Sequence, residues 1–173
     1  MSAGRKNINT NIHWNTPPKY IDAILKFWPQ IDLDPCANEY SLVPALNKIE
    51  LPKDGLKESW DYPRIFVNPP YGRDSERKTS IYNWINKGFD ANIEYRSELL
   101  YLIPVATNTS HFKEIIFPYF FDICFLADTR LKFYKNGVED KKGAPMACCM
   151  CYIGENSRKF EEVFSKYGKV VAL

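Results

Sequence analysis

A chain of 173 residues, 45% hydrophobic and 25% charged, has the balance of an ordinary globular protein and, at roughly 150 residues per domain, the length of about one. Lys and Arg number 23 against 21 Asp and Glu; the net charge of +2 excludes a histone-like binder working by bulk charge but permits a local basic patch. No apolar run is as long as a membrane span, residues 1–16 hold no hydrophobic signal segment, and the five cysteines crowd three into Ala147–Tyr152, a poor disulfide framework. These features lead to the expectation of a cytoplasmic protein.

Residues 1–13 are polar and are expected to form a flexible N-terminal segment. Thr16-Pro17-Pro18 reads as a helix start with Thr16 as cap, and Ile21, Ile24, Leu25 and Trp28 keep helical spacing up to Pro29. Ile31–Asp34 is a short strand stopped by Pro35; a helix around Ser41–Asn47 and an extended piece near Ile49–Leu51 follow. Arg64–Val67 is a strand running into Asn68-Pro69-Pro70-Tyr71, which cannot continue a ladder. Gly72–Thr79 is a charged loop without apolar period, and a helix carries Ile81, Trp84, Ile85 and Phe89 on one face. Glu98–Val105 and Phe121–Ala127 are apolar strands flanking a short helix at His111–Phe117. Leu131–Tyr134, a turn at Asn136-Gly137 and Ala147–Ile153 suggest antiparallel strands with a basic connection at Lys141-Lys142-Gly143. A helix over Arg158–Tyr167 and a strand over Lys169–Leu173 close the chain. The alternation predicts an α/β fold with a mostly parallel sheet and antiparallel C-terminal strands.

The sharpest chemical signal is Val67-Asn68-Pro69-Pro70-Tyr71, at the carboxyl end of a strand, where α/β sheets place their ligand crevices. Two successive prolines remove two N–H donors and stiffen the turn. What remains is carbonyl acceptors, the Asn68 amide oxygen and the Tyr71 ring. That surface suits a planar heterocycle bearing an exocyclic amine, although a stiff strand-ending turn is an equal reading of four residues alone.

With its neighbours the motif resembles the Asn/Asp-Pro-Pro-Tyr motif of S-adenosylmethionine-dependent amino-methyltransferases. More narrowly, the chain is similar to the phage-type (Dam-like) DNA N-6-adenine methyltransferases. The resemblance rests on Trp14-Asn15-Thr16-Pro17, Leu33-Asp34-Pro35-Cys36-Ala37, Asp54-Gly55-Leu56 with Trp60, and Val67–Tyr71, in that order. It continues through Trp84, Leu102-Ile103-Pro104, Thr107, Thr109, His111-Phe112, Arg130-Leu131-Lys132-Phe133 and Gly143-Ala144-Pro145. It implies a single Rossmann-like methyltransferase domain over residues 14–173, with S-adenosylmethionine as cofactor and DNA as substrate. It implies catalytic roles for Asn68, Pro69, Pro70 and Tyr71. Cofactor contacts are implied for Trp14, Thr16, Pro17, Asp34, Pro35, Cys36, Ala37, Asp54 and Leu56; for the acid usual at the ribose, Glu39 is the nearby candidate that precedes Glu50 in the chain. The implied chemistry is direct methyl transfer to the N6 amine of a flipped adenine, with Tyr71 replacing lost stacking.

The loop cations Arg73, Arg77 and Lys78, with Lys141 and Lys142, are candidates for DNA phosphates, although a charged loop is as often merely solvated. Cys148, Cys149 and Cys151 lack the paired spacing of a zinc site, and His13 and His111 are too few and too separated for a metal cluster. No metal is expected. The same turn could serve another amine (cytosine N4, RNA adenine or a glutamine amide), and a non-catalytic nucleic-acid-binding module on this fold is the rival of another class.

Overall fold

The computed structural model describes residues 14–120 and 122–173; the expected N-terminal segment 1–13, with His13, and Phe121 lie outside the described residues. The chain is a mixed α/β structure around a seven-stranded sheet. In chain order the elements are α1 (Pro18–Phe27), β1 (Ile31–Asp34), β2 (Ala45–Lys48), β3 (Arg64–Val67), α2 (Ile81–Tyr95) and β4 (Glu98–Pro104). A π-helical segment His111–Ile116 leads into α3 (Phe117–Tyr119), followed by β5 (Asp122–Leu126), β6 (Tyr134–Lys135), β7 (Val138–Glu139), β8 (Cys148–Ile153), α4 (Ser157–Phe164) and β9 (Gly168–Ala172).

The sheet order is β2-β1-β3-β4-β8-β5-β9, and β6 and β7 form a separate two-stranded ribbon. The pairs β1–β2, β1–β3 and β3–β4 are parallel, whereas β8 runs antiparallel to both β4 and β5, and β9 antiparallel to β5. The expected mostly parallel sheet with antiparallel C-terminal strands is therefore present. The expected helix at Ser41–Asn47 is replaced by β2, which pairs Ile31 with Ala45 and Leu33 with Asn47. Pro44 explains the difference: it has no N–H to give a helix and holds the residue before it extended. The turn at Asn136-Gly137 joins β6 to β7, while β8 is drawn away into the main sheet between β4 and β5.

Alternation along the strands builds two cores. Phe66, Leu100, Leu102, Met150 and Tyr152 face α1 and α4, where Phe27 meets Tyr152, Phe160 and Phe164 edge-on. Ile65, Val67, Leu99, Tyr101 and Ile103 face α2 and the π-helical segment. Cys148 points into the first core, Cys149 and Cys151 into the second, and all three are buried free thiols. Among the described residues no helix is long and apolar enough to cross a membrane, and no group of three His, Cys, Asp or Glu is placed to hold a metal ion.

From β1 the chain steps to β2 on one side, and β3 lies on the other. Such a reversal opens a crevice beyond the carboxyl ends of β1 and β3, with Pro35–Glu39 on one side and Pro70 of the turn after β3 on the other.

Candidate active site

A cavity of about 360 Å³ lies at this crevice, within the range of roughly 300–1,000 Å³ typical of small-molecule sites. The β1 loop contributes Pro35, Cys36, Ala37, Asn38 and Glu39; the chain after β2 contributes Ile49, Glu50, Leu51, Lys53, Asp54 and Gly55; Pro70, Arg77 and Trp84 complete it. Of the expected cofactor residues, Pro35, Cys36, Ala37 and Asp54 line this cavity.

Asp34 stands behind the wall. It is 3% exposed, and its carboxylate accepts from the Cys36 amide at 3.0 Å and the Ser41 hydroxyl at 3.1 Å, which ties the loop down. Burial pushes its carboxyl up to about 6, against the lowering effect of those two hydrogen bonds. Asp54 is held similarly, its side chain accepting from the Leu56 amide at 3.0 Å and its carbonyl from the Lys57 amide at 2.8 Å. Leu56 packs away from the cavity against the second core. At Gly55 a Cβ would lie 2.1 Å from the Pro35 carbonyl oxygen and 3.0 Å from the Trp84 ring, so only glycine lets the two loops close against each other.

Glu39, the candidate for the ribose acid, lines the cavity, and so does Glu50, to which the sequence assigned no role. Glu50 lies two residues beyond β2, and the strand that replaces the expected helix at Ser41–Asn47 carries it to the cavity. Arg77, expected on DNA, is folded back to the cavity rim, its guanidinium 2.7 Å from Asp74 and 3.9 Å from Asp54. Arg73 and Lys78 are exposed on the same loop, and Lys141 and Lys142 are exposed beyond the β6–β7 ribbon.

Beside the cavity, Asn68 ends β3. Its amide nitrogen donates to the Trp14 carbonyl at 3.0 Å and to the Thr16 hydroxyl oxygen at 3.2 Å. A backbone carbonyl can only accept, so this fixes which end of the amide is which, and no described residue donates to the amide oxygen. Thr16 thus does not cap α1 as expected: Pro17 occupies the cap position with no side-chain bond, and the Thr16 hydroxyl is used to orient Asn68. The segment carrying Trp14 and Thr16 is itself fixed by Asn15, whose backbone exchanges two hydrogen bonds with Tyr134 of β6 at 2.8 and 3.0 Å. The Asn15 side-chain oxygen accepts from Asn38 of the cavity wall at 2.8 Å. Trp14 and Thr16 therefore adjoin Asn68 and not the cavity, while Pro17 lines a separate surface pocket with Asp128, Arg130 and Tyr134.

Tyr71 is 3% exposed and its hydroxyl donates to the Leu102 carbonyl at 2.8 Å. Its ring meets Trp14 at 5.9 Å and Phe133 at 5.5 Å, both edge-on, while Trp14 and Phe133 stack on each other at 5.0 Å. His111 is 7% exposed, its ring within 3.2 Å of the Thr109 hydroxyl, and burial lowers its basicity; it does not line the cavity.

The site thus combines a side-chain oxygen without a donor among the described residues, at the end of a strand, with a neighbouring cavity edged by Glu39, Glu50 and Asp54. A family model described as DNA N-6-adenine-methyltransferase (Dam) matches residues 5–170, nearly the whole chain. The chain belongs to this family. The Dam family is one of DNA methylation at adenine N6, so a methyltransferase acting on DNA follows for this chain. No curated protein and no solved structure matches it significantly.

Proposed function

We propose that this Dam-family protein moves a methyl group from S-adenosylmethionine directly to the N6 amine of an adenine turned out of its DNA stack, using a single Rossmann-like domain over residues 14–173. The observation that carries the reading is the Asn68 amide: its nitrogen is fully occupied by Trp14 and Thr16, which presents its oxygen as an acceptor. The residues of the crevice fit the cofactor. Glu39 and Glu50 are carboxylates for ribose hydroxyls, Asp54 is an acceptor for an adenine amine, and the Pro35–Ala37 loop and Trp84 give apolar cover in a cavity of matching size. When bound, S-adenosylmethionine supplies an electrophilic methyl group on a sulfonium.

The chain's own part is to make a poor nucleophile competent. The lone pair of an adenine amine is delocalised into the ring. Acceptance of its two hydrogens by Asn68 Oδ1 and the Pro69 carbonyl draws electron density onto nitrogen and favours the tetrahedral geometry of attack. Pro69 and Pro70 keep these acceptors from shifting with the substrate. With Tyr71 covered, the aromatic surface for the base is that of the Trp14–Tyr71–Phe133 cluster, in which Trp14 is the partly exposed ring. Arg73, Lys78, Lys141 and Lys142 take DNA phosphates, while Arg77 belongs to the cofactor side. A protein of this kind works beside DNA, in the cytoplasm of a bacterium or a phage-infected cell.

The test is tritiated-methyl transfer to adenine-containing DNA alongside thermal melts. Asn68→Ala should lose about 10²–10³ in transfer rate while keeping its fold and its cofactor-induced rise in melting temperature. Asp54→Ala should lose that rise. A folded Asn68→Ala protein methylating adenine at the wild-type rate overturns the reading.

A further inference from the structure

The chain between β5 and β8 leaves the sheet and returns to it at the same edge as Asn68, because the first residue of β8, Cys148, pairs with Pro104 at the end of β4. This excursion contains the β6–β7 ribbon. Its base is anchored: Leu131, Phe133 and Ala144 are buried, the Ala144 amide donates to the Leu131 carbonyl at 2.7 Å, and the Asp140 backbone amide donates to the Phe133 carbonyl at 2.8 Å. Its tip is free of the core. Asn136 and Gly137 both take positive φ (50° and 77°), as a tight two-residue hairpin demands, and Val138 beside them is 67% exposed.

Residues 130–142 hold five cations, Arg130, Lys132, Lys135, Lys141 and Lys142, against two acids, so this one excursion exceeds the net charge of the whole chain. Lys132 pairs with Glu139 at 3.7 Å and Lys135 with Asp140 at 3.0 Å, whereas Arg130, Lys141 and Lys142 have no carboxylate at ion-pair distance among the described residues. A basic ribbon with an uncovered apolar tip, joined to the segment that grips Asn68, matches one partner by shape and charge. A two-stranded ribbon fits the major groove of duplex DNA, flanking cations meet its phosphates, and an apolar side chain meets a thymine methyl.

We propose that the β6–β7 ribbon is the element that reads duplex DNA, entering the major groove with Val138 at the bases and Arg130, Lys141 and Lys142 on the backbone. The inference rests on the DNA-methylating reading above. Through the Asn15–Tyr134 pair, the ribbon also sets the base relative to Asn68.

The experiment measures binding of a fluorescein-labelled duplex of mixed sequence by anisotropy over a salt series, and maps methylated adenines by sequencing treated genomic DNA. Arg130→Gln, Lys141→Gln and Lys142→Gln combined should weaken duplex binding at least about tenfold and flatten the log–log salt slope by about one unit per lost phosphate contact. The cofactor-induced melting shift should persist. Val138→Ser, at an exposed position where folding is not at risk, should change the bases flanking the methylated adenines. Wild-type affinity and slope in the triple variant, or an unchanged flanking pattern in Val138→Ser, overturns the proposal. A wild-type protein that binds duplex through the ribbon yet methylates no adenine overturns the proposed function and leaves the ribbon's role intact; one that binds no DNA overturns both.

Discussion

The Thr16 hydroxyl oxygen accepts a hydrogen bond from the Asn68 amide nitrogen at 3.2 Å, across 52 residues of chain. With the Trp14 carbonyl it fixes the plane of the Asn68 amide, which under the proposed function makes Thr16 a positioning residue. Thr16→Val keeps the shape of a side chain that is 2% exposed but removes the acceptor. Methyl transfer should fall about ten- to a hundredfold, as expected of a misplaced reacting group. The cofactor-induced melting shift should remain, and Thr16→Ser should restore transfer. Equal loss in the Ser variant would refute an orienting role for the hydroxyl.

Gly55 gives a second expectation, read by calorimetry. A methyl group there meets the Pro35 carbonyl oxygen at 2.1 Å, backbone that cannot swing aside as a side chain would. Gly55→Ala should cost about 1–3 kcal/mol of stability through overpacking and should abolish the heat of S-adenosylmethionine binding by prising the Pro35 loop from its partner. Normal cofactor binding in this variant would mean that the two loops need not close.

Tyr71 separates a hydrogen-bonded hydroxyl from a ring packed edge-on in an aromatic cluster. Tyr71→Phe leaves the Leu102 carbonyl without its side-chain donor and should lower stability by about 1 kcal/mol, with little change in transfer per folded molecule. Tyr71→Ala opens the cluster with Trp14 and Phe133 and should cost about 3–5 kcal/mol. Chemical denaturation beside transfer assays checks both. A large drop in transfer for a stable Tyr71→Phe protein would assign the hydroxyl to catalysis.

Asp34 sets a pH dependence. Its folded pKa, about 6, lies above the ordinary value of 3.8, so the native state holds the proton more tightly than the unfolded chain. Its contribution to stability is fully present below about pH 4, declines as pH rises through 6, and is lost above that. Asp34→Asn cannot ionise and can still accept from the Cys36 amide. Relative to this variant, the wild type should lose on the order of 2 kcal/mol between pH 4 and pH 7, seen in urea unfolding at the two values. A constant difference across that range would place the carboxylate in a solvated environment.

Much of this was legible in the sequence because it is local. Strand alternation, the prolines at Pro17-Pro18 and the rigid Asn68–Tyr71 turn act within a few residues, and β3 falls at Arg64–Val67 as the pattern requires. The strand read at Ala147–Ile153 is likewise present as β8, with Cys148 on one face and Cys149 and Cys151 on the other. What only the tertiary structure decided are partnerships between distant segments. Ala45–Lys48 is a strand because β1 offers it an edge, and that in turn brings Glu50 to the cavity. Arg77 turns inward because Asp74 and Asp54 both lie within ion-pair distance of its guanidinium. Thr16 gives up its capping role because Asn68 arrives beside it, and Tyr71 loses its exposed face because Trp14 and Phe133 close over it. A side chain's chemistry is carried by its own residue. Which of its possible partners it takes depends on which groups the completed sheet brings within hydrogen-bonding or packing distance, and no local pattern encodes that choice.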